Sequence, residues 1–575
     1  ALLAGGPGGP EPAAAGAQSP PNIVVLYTDD QEPESLKVMN TVADQLKAKG
    51  VTMKRFYNNF PLCCPSRATL LTGQYAHNHD ILSNQSPEGG FGKFDELHGN
   101  NYLPLWLQQA GYTTSFIGKF MNEYAVPDEY GTTPTTVPRG WNDWRALAPA
   151  RAQYFDYTLN QNGVLTRFGN RNRDYSTDVF TTKAKKFIRR TAPGPSPFFL
   201  MLGYAAPHGG GGGSPGRSCN RGARPAPRHL RALRKLDKKE RFEFPPSFNE
   251  AKITDKPSSV QQMPPLTAGQ IRDLKRKRRC AWESLLAVDE SVDEITAELK
   301  RSGENRDTYV FFLSDNGILR GEHRIRNQKR YLYEESARVP FIVRGPGVAR
   351  GKSSFDVVAN ADLTSTLLQI AGASPGLTQD GRSLIPNFSN PKAESGRAIL
   401  LEAYAGQEII GLRTSRYLYA EWDTELPQTE LELYDTYADR YQLQNLAYDP
   451  RYGGVVADLG NQLDDLIDCA GPECSVGRTA QLSFPTTGGS GPKGCTREPV
   501  VARLNPGNAD DVASVSFRAG KKATPEDYAP PYEAVLPYGA IRRALPKAAD
   551  VLGVAVYDDG RRVAVPAKLR ACARK

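Results

Sequence analysis

Four oxygen-bearing residues stand in two pairs, each at the end of a short apolar run. Asp29 and Asp30 follow Ile23-Val24-Val25-Leu26-Tyr27, and Asp315 and Asn316 follow Tyr309 to Leu313 by one serine. Such runs read as strands buried on both faces of a parallel sheet. Acidic pairs at strand carboxyl ends can converge across neighbouring strands. Three carboxylates and an amide oxygen suit a hard cation, Ca²⁺ or Mg²⁺. Taken singly, each residue would serve as well to cap a turn or helix. The repetition at two strand ends makes them a candidate metal site.

The stretch Cys63-Cys64-Pro65-Ser66-Arg67-Ala68-Thr69-Leu70-Leu71-Thr72-Gly73 carries a second chemistry. A helix starting near Pro65 points its free N–H groups and its positive end at residue 63. An anion bound there is stabilised, and Arg67, near the first turn, is placed to clamp it.

The elements that must position these residues alternate. Strands are expected at Val51–Asn58, Tyr112–Gly118, Phe198–Gly203 and Val339–Arg344, besides the two above. Helices are expected at Ser35–Lys49, Leu103–Ala110, Thr177–Arg190, Ala281–Ser302 and Asp362–Ala371. Gly50 and Gly111 act as helix stops. The alternation predicts an α/β fold with a large, mostly parallel sheet flanked by helices. After about residue 375 the pattern changes. Leu412–Trp422 and Leu431–Tyr434 read as antiparallel strands and Val455–Ile467 as a helix. Thr486–Lys493 reads as a linker. Beyond it, Val512–Phe517, Tyr532–Leu536, Val551–Tyr557 and Arg562–Val565 suggest a small β-sandwich. The expected division is a lead or signal remnant at 1–21, a catalytic α/β domain at 22–375, an antiparallel subdomain at 376–485 and a β-sandwich at 486–575.

The chain has 575 residues and a net charge of +9. From Arg217 to Arg279 there are 18 Lys/Arg against 6 Asp/Glu, a local +12, so the rest carries −3. That distribution excludes a general nucleic-acid binder. No apolar stretch reaches the ~18 residues of a membrane span. The run Lys275-Arg276-Lys277-Arg278-Arg279 is either a solvated helix face or a rim that holds a polyanion. Of eight cysteines, Cys469 and Cys474 bracket a tight loop, and Cys495 and Cys572 bracket the last segment; Cys219–Cys280 is a further pairing to test. Local stapling favours an oxidising compartment, secreted, periplasmic or extracellular.

The motifs together resemble the formylglycine-dependent sulfatases. Cys63 to Gly73 is similar to that family's signature. Thr28-Asp29-Asp30, Gly118-Lys119, Ala206-Pro207-His208, Ser314-Asp315-Asn316-Gly317, Gly321-Glu322-His323, Lys329-Arg330 and Arg338-Val339-Pro340 follow in the family's order. Leu433-Tyr434-Asp435 and Gln444-Asn445-Leu446 resemble its C-terminal subdomain. Cys63-Cys64, Tyr75-Ala76-His77-Asn78-His79 and Gly118 to Tyr124 are nearest the N-acetylglucosamine-6-sulfatases and heparan 6-O-endosulfatases. Two departures stand out. Met121 occupies a position where many arylsulfatases carry histidine, with Asn122 beside it, and Gly321-Glu322-His323 is nearer the general sulfatase pattern.

The resemblance implies an alkaline-phosphatase-like fold and hydrolysis of a sulfate ester on a small molecule or oligosaccharide. It implies that a formylglycine-generating enzyme oxidises Cys63 to Cα-formylglycine, whose hydrate attacks sulfur. It implies a divalent cation held by Asp29, Asp30, Asp315, Asn316 and residue 63. Lys119, Lys329 and Arg67 would neutralise sulfate charge, and His208 would protonate the leaving alcohol. His77 and His323 are further catalytic candidates, and Asn122 joins Lys119 and Lys329 as a substrate-binding candidate. The alternatives are a broad arylsulfatase, a phosphonate or phosphodiester hydrolase, and an inactive glycan-binding homologue.

Overall fold

The structure is a computed structural model. It describes residues 20–210, 219, 222–235, 243–423 and 429–475, and seven strand segments between 481 and 569. Residues 1–19 of the expected lead at 1–21, the linker at 486–493 and the Cys495–Cys572 pairing lie outside the described residues.

Among the described residues, twelve strands lie between Asn22 and Ala359. They are β1 (Asn22–Asp29), β2 (Val51–Tyr57), β3 (Thr113–Gly118), β4 (Asp143–Leu147), β5 (Thr158–Gln161), β6 (Val164–Arg167), β7 (Phe198–Pro207), β8 (Thr308–Ser314), β9 (Leu319–Arg320), β10 (Arg326–Gln328), β11 (Phe341–Arg344) and β12 (Lys352–Ala359). All but the short hairpin β9–β10 join one sheet, in the order β12-β2-β11-β8-β1-β7-β3-β4-β5-β6. β1 runs parallel to β7 and β8, and β3 parallel to β7 and β4. β11 runs antiparallel to both its neighbours, so the sheet is mixed. β1 is central, and both its faces are buried. Ile23, Val25 and Tyr27 point into one apolar core, and Val24 and Leu26 into the other. That two-sided burial is why its sequence is continuously apolar rather than alternating.

A second sheet follows, built of β13 (Ile399–Tyr404), β14 (Glu408–Arg413), β15 (Tyr417–Trp422) and β16 (Glu430–Asp435), all antiparallel. The helix Gly453–Leu466 packs on it. Two further antiparallel sheets occupy the C-terminal segment, one of three strands and one of four.

Three expectations need correction. Ser35–Lys49 is not one amphipathic helix but a 3₁₀ stretch at Pro33–Val38 followed by a π-helical stretch at Val42–Leu46 that runs into a 3₁₀ turn at Lys47–Lys49. The Asp289 carboxylate accepts from the Thr41 and Val42 N–H groups at 2.9 and 2.8 Å and so caps a second start inside the segment. Leu412–Trp422 is two strands, because the Thr414 hydroxyl accepts from the Tyr417 N–H (2.8 Å) and turns the chain between β14 and β15. The expected helix at Ala281–Ser302 begins at Ala268 and ends at Arg301. Thr267 and Gln270 form a capping box at its start. The basic run Lys275–Arg279 therefore lies on a continuous helix.

Candidate active site

Neighbouring strands bring the chemistry together. β8, β1, β7 and β3 lie side by side, and their carboxyl ends deliver Asp315, Asp29, His208 and Lys119. Successive strand residues normally point to opposite faces. At Asp30 the backbone turns into the left-handed region (φ 66°), which lets both carboxylates of the pair face one cluster. Gly118 has φ 112°, and a Cβ there would lie 1.9 Å from the Gly203 carbonyl oxygen. The two glycines let β3 leave the sheet hard against β7. The Lys119 N–H then donates to the Gly203 carbonyl (2.8 Å), and its ammonium reaches Asp29.

Cys63 comes from the other side. The helix α1 (Cys63–Thr72) is buried on every face and ends at Gly73 in the left-handed conformation. It starts two residues earlier than Pro65, so Cys63 is itself the first helical residue. Leu62, at the N-cap, offers no side-chain cap. The Cys64 N–H donates instead to Asn84 Oδ1 (2.9 Å), a contact between distant segments that local spacing does not signal.

The ligand atoms of Asp29, Asp30, Cys63 and His208 all lie within 4.8 Å of one another. Lys329, just after β10, donates to Asp30 Oδ1 (2.6 Å) and to Cys63 Sγ (2.8 Å). Cys63 Sγ lies 3.5 Å from Asp29 Oδ1 and 3.8 Å from Lys119 Nζ. Asp315 Oδ1 accepts from the Asp30 N–H (3.2 Å), and the Asn316 amide donates to Asp30 Oδ1 (2.5 Å). His208 Nδ1 faces the Gly209 carbonyl (2.8 Å), which leaves Nε2 toward Asp30 Oδ2 at 3.6 Å.

Arg67 differs from expectation. Its Nε and Nη2 donate to Asp315 Oδ2 (3.0 and 2.7 Å), and Nη1 donates to the Lys119 and Phe120 carbonyls (2.6 and 3.1 Å). Its donors are spent on a carboxylate and on the chain carrying Lys119, rather than aimed at an anion beside residue 63. It holds the cluster's parts in register.

Burial sets the protonation of the cluster against its own charges. Asp29 is fully buried, which opposes ionisation, yet the Lys119 ammonium holds its carboxyl well below the usual range. Asp30 is likewise lowered against its burial, chiefly by Lys329. Asp315 moves up, because burial and the Asp29 charge outweigh Arg67. Burial pushes the Cys63 thiol up to about 12 in spite of Lys119 and Lys329. A thiol in that state is protonated at neutral pH and a poor nucleophile.

Three candidates are not brought into this cluster. His77 sits at the junction with the second sheet, its Nδ1 on Glu402 Oε1 (3.1 Å) and its Nε2 on the Cys469 carbonyl (2.9 Å). His323 is fully buried, with Nδ1 on Glu250 Oε2 (2.6 Å) and its ring stacked on Tyr333 at 4.3 Å. Asn122 lies on the chain beside Cys64; its carbonyl accepts from the Phe91 N–H (2.8 Å), and its side-chain oxygen is buried without a partner.

The cluster fits a hard dication. It gathers three carboxylates, and Asn316 Oδ1 is buried beside them with no hydrogen-bond partner. An orphaned amide oxygen among carboxylates is the donor such an ion takes. Asp29, Asp30 and Asp315 balance Lys119, Lys329 and Arg67 in charge. A dication would leave room for two negative charges, which an ionised nucleophile and a monoanionic ester would fill.

Above the cluster opens a cleft of about 420 Å³, lined by Asp30, His208, Lys329 and Arg330. Lys277 and Arg320 also line it. Neither residue was a sequence candidate in its own right, and only their place in the lining of this cleft reveals them.

Comparison with known proteins identifies the family. The Sulfatase family matches residues 21–373, and the N-sulphoglucosamine sulphohydrolase C-terminal family matches residues 321–468. This chain belongs to the sulfatase family. It is 32% identical over 523 residues to the N-acetylglucosamine-6-sulfatase of Homo sapiens, covering 82% of this chain and 89% of that one. It is 29% identical over 508 residues to the arylsulfatase of Volvox carteri, covering 80% and 77%. A solved structure in complex with its substrate, D-glucosamine-2-N,6-O-disulfate, superposes with a TM-score of 0.63 at 23% identity, over 78% of this chain and 97% of that one. That likeness shows the alkaline-phosphatase-like α/β fold expected from the motifs.

Proposed function

We propose that this chain hydrolyses sulfate monoesters of amino sugars, with N-acetylglucosamine 6-sulfate as the first substrate to test. One observation carries the reading. Cys63, the residue that the family oxidises, stands at the N-terminus of α1 with Lys329 Nζ at 2.8 Å and Asp29, Asp30 and His208 around it.

In this reading residue 63 matures to Cα-formylglycine through a formylglycine-generating enzyme, and its hydrate supplies the nucleophile that a protonated thiol does not. Asp29, Asp30, Asp315, Asn316 and residue 63 would hold a Ca²⁺ or Mg²⁺ ion, which would supply charge stabilisation and acidify the hydroxyl at residue 63. The chain's own groups do the rest. Lys119 and Lys329 face the site of attack and neutralise the sulfate oxygens as negative charge shifts in the transition state. Arg67 acts one step back, holding Asp315 and the Lys119 backbone. His208, anchored through Nδ1, presents Nε2 to the cleft and protonates the leaving sugar oxygen. That proton transfer matters because a sugar alkoxide is a poor leaving group.

The glucosamine preference rests on the 32% identity to the human enzyme over most of both chains. Two disulfides, Cys219–Cys280 and Cys469–Cys474, support an oxidising, extracytoplasmic location. Among the described residues no helix is long and apolar enough to cross a membrane. A domain division at about 375 is supported by the change from the ten-stranded sheet to the antiparallel sheet β13–β16, and a second division falls before Gln481–Ser483 rather than at 485, because that strand pairs with Val500–Asn505.

The test is sulfate release by the mature protein from N-acetylglucosamine 6-sulfate and from p-nitrophenyl sulfate. The reading expects turnover of the sugar ester. Absence of release from both, with residue 63 matured and Ca²⁺ or Mg²⁺ present, would refute it.

A further inference from the structure

Lys329 reaches the cluster from an irregular piece of chain. It directly follows the hairpin β9–β10, whose strands meet at two residue pairs. Between Gly321 and Arg330 five residues lie in the left-handed region: Gly321 (φ 120°), His323 (49°), Arg324 (64°), Asn327 (51°) and Arg330 (75°). Four of them carry a side chain, and such residues hold that conformation only where their surroundings dictate it. Two residue pairs are too few to do so.

Most of the dictating contacts come from one segment, 247–263. The Asn249 N–H donates to the Gly321 carbonyl (2.8 Å), and the His323 N–H donates to the Ser247 carbonyl (2.7 Å). Arg324 spends its guanidinium on the carbonyls of Glu250 (2.8 Å), Ala251 (2.8 Å) and Met263 (3.1 Å). A Cβ on Gly321 would lie 2.4 Å from the Phe248 ring, so the segment also packs hard against the turn. At its centre Glu250, 6% exposed, takes His323 Nδ1 at 2.6 Å. A carboxylate accepts, so Nδ1 carries the proton and Glu250 sets the orientation of the ring. The other Glu250 oxygen lies 3.3 Å from the buried Lys256 ammonium, which donates to the Leu443 carbonyl (2.9 Å) beyond β16. A line of contacts thus runs from the end of the second sheet through Lys256, Glu250 and His323 to the arm that carries Lys329.

We propose that Glu250 is a positioning residue for Lys329: through His323 it fixes the turn at 321–325, and with it the place of the Lys329 ammonium beside Cys63. This deepens the sulfatase reading and rests on it. Glu250 is not part of the lining of the catalytic cleft, so its effect on turnover passes through the arm. The proposal also gives part of the inserted region before the long helix a task, as the brace of a catalytic lysine.

The test is a double-mutant cycle on sulfate release from N-acetylglucosamine 6-sulfate or p-nitrophenyl sulfate. Glu250→Ala is expected to lower kcat about 10–100-fold and to leave KM within about threefold, the scale of a catalytic group displaced by about 1 Å. Glu250→Gln, whose amide oxygen still accepts from the His323 ring, is expected to recover most of that loss. In a Lys329→Ala background Glu250→Ala is expected to change kcat less than about twofold, because both substitutions act on one group. A loss that repeats in full in that background overturns the proposal, as does wild-type kcat in a Glu250→Ala protein whose melting temperature has fallen. If Glu250→Ala does not fold, Arg324→Ala, which frees the same turn, decides by the same cycle. If the wild-type protein releases sulfate from neither ester, the sulfatase reading fails by itself. Hydrogen exchange across residues 326–330 then tests the brace: faster exchange in the variant supports it, and unchanged exchange overturns it.

Discussion

The cluster around Cys63 and the junction around His77 are built from the same side-chain types, and they do opposite work. At the junction both Glu402 oxygens and both His77 ring nitrogens have partners. Glu402 accepts from the Asn59 side chain (2.6 Å) and the Ala76 and His77 N–H groups, while His77 closes on Glu402 and on the Cys469 carbonyl. Asn78 adds a bond to the same carbonyl (2.8 Å). Those atoms are occupied, and the node ties α1's neighbourhood to the second sheet. In the Cys63 cluster the charges are equally buried, but Asn316 Oδ1 has no partner and a cleft opens over His208 and Lys329. A histidine beside a carboxylate is therefore not a sign of catalysis. What separates the two regions is unspent bonding capacity facing an opening.

The sharpest way to break this contrast is substitution inside the cluster. Cys63→Ala should take sulfate release to background while the melting temperature stays near wild type, since it removes one small side chain and leaves the Asp29–Lys119 and Asp30–Lys329 pairs in place. Asp315→Ala should both abolish activity and destabilise the fold by about 3–5 kcal/mol, because it leaves the Arg67 guanidinium buried and unpaired. A thermal melt and a sulfate assay on the same sample check both halves. Lys329→Ala should lower kcat about 10²–10³-fold with the fold retained, as expected when one preorganised group facing developing charge is removed.

His208→Ala sharpens the contrast by leaving group. It should cost about 10²-fold or more on a sugar sulfate and far less on p-nitrophenyl sulfate, whose phenolate needs no proton. Equal losses on the two would remove His208 from the general-acid role.

The smallest expected effect lies at the junction. Burial works against the charge on His77, but Glu402 wins and holds its pKa up to about 9, above the ordinary 6.5. A group raised in the folded state stabilises fully below its unfolded pKa, and that stability is lost as pH rises through the folded value. The wild-type melting temperature should thus fall between about pH 6.5 and 9 by more than that of His77→Gln, while the variant keeps its turnover. A His77→Gln enzyme with normal stability and a collapsed kcat would place His77 back in the chemistry.

Much of the cluster was legible in the sequence for a local reason. A strand buried on both faces must be continuously apolar, so polar residues that interrupt it at its end stand out, as Asp29, Asp30, Asp315 and Asn316 do. The long helix was only half legible by its apolar period. Its earlier start was written in Thr267 and Gln270, three residues apart, whose side chains cap each other. What stayed hidden depends on distant partners. The Asp289 carboxylate breaks the Ser35–Lys49 helix from more than two hundred positions away. Arg67 points at Asp315 rather than at the anion site because β8 delivers that carboxylate beside α1. His77 and His323 carry family motifs, but Glu402 and Glu250 claim them in three dimensions. Arg320 and Lys277 became visible only once β9 and the basic helix were seen to share the rim of a cleft.

The central claim is that Cys63 works as formylglycine and not as a thiol. Peptide mass spectrometry across residue 63, on protein purified from its native host, tests it directly. The account predicts a peptide about 18 Da lighter than the cysteine form, the difference between a CH₂–SH and an aldehyde side chain. A peptide carrying only unmodified cysteine, from protein that still releases sulfate, would contradict it.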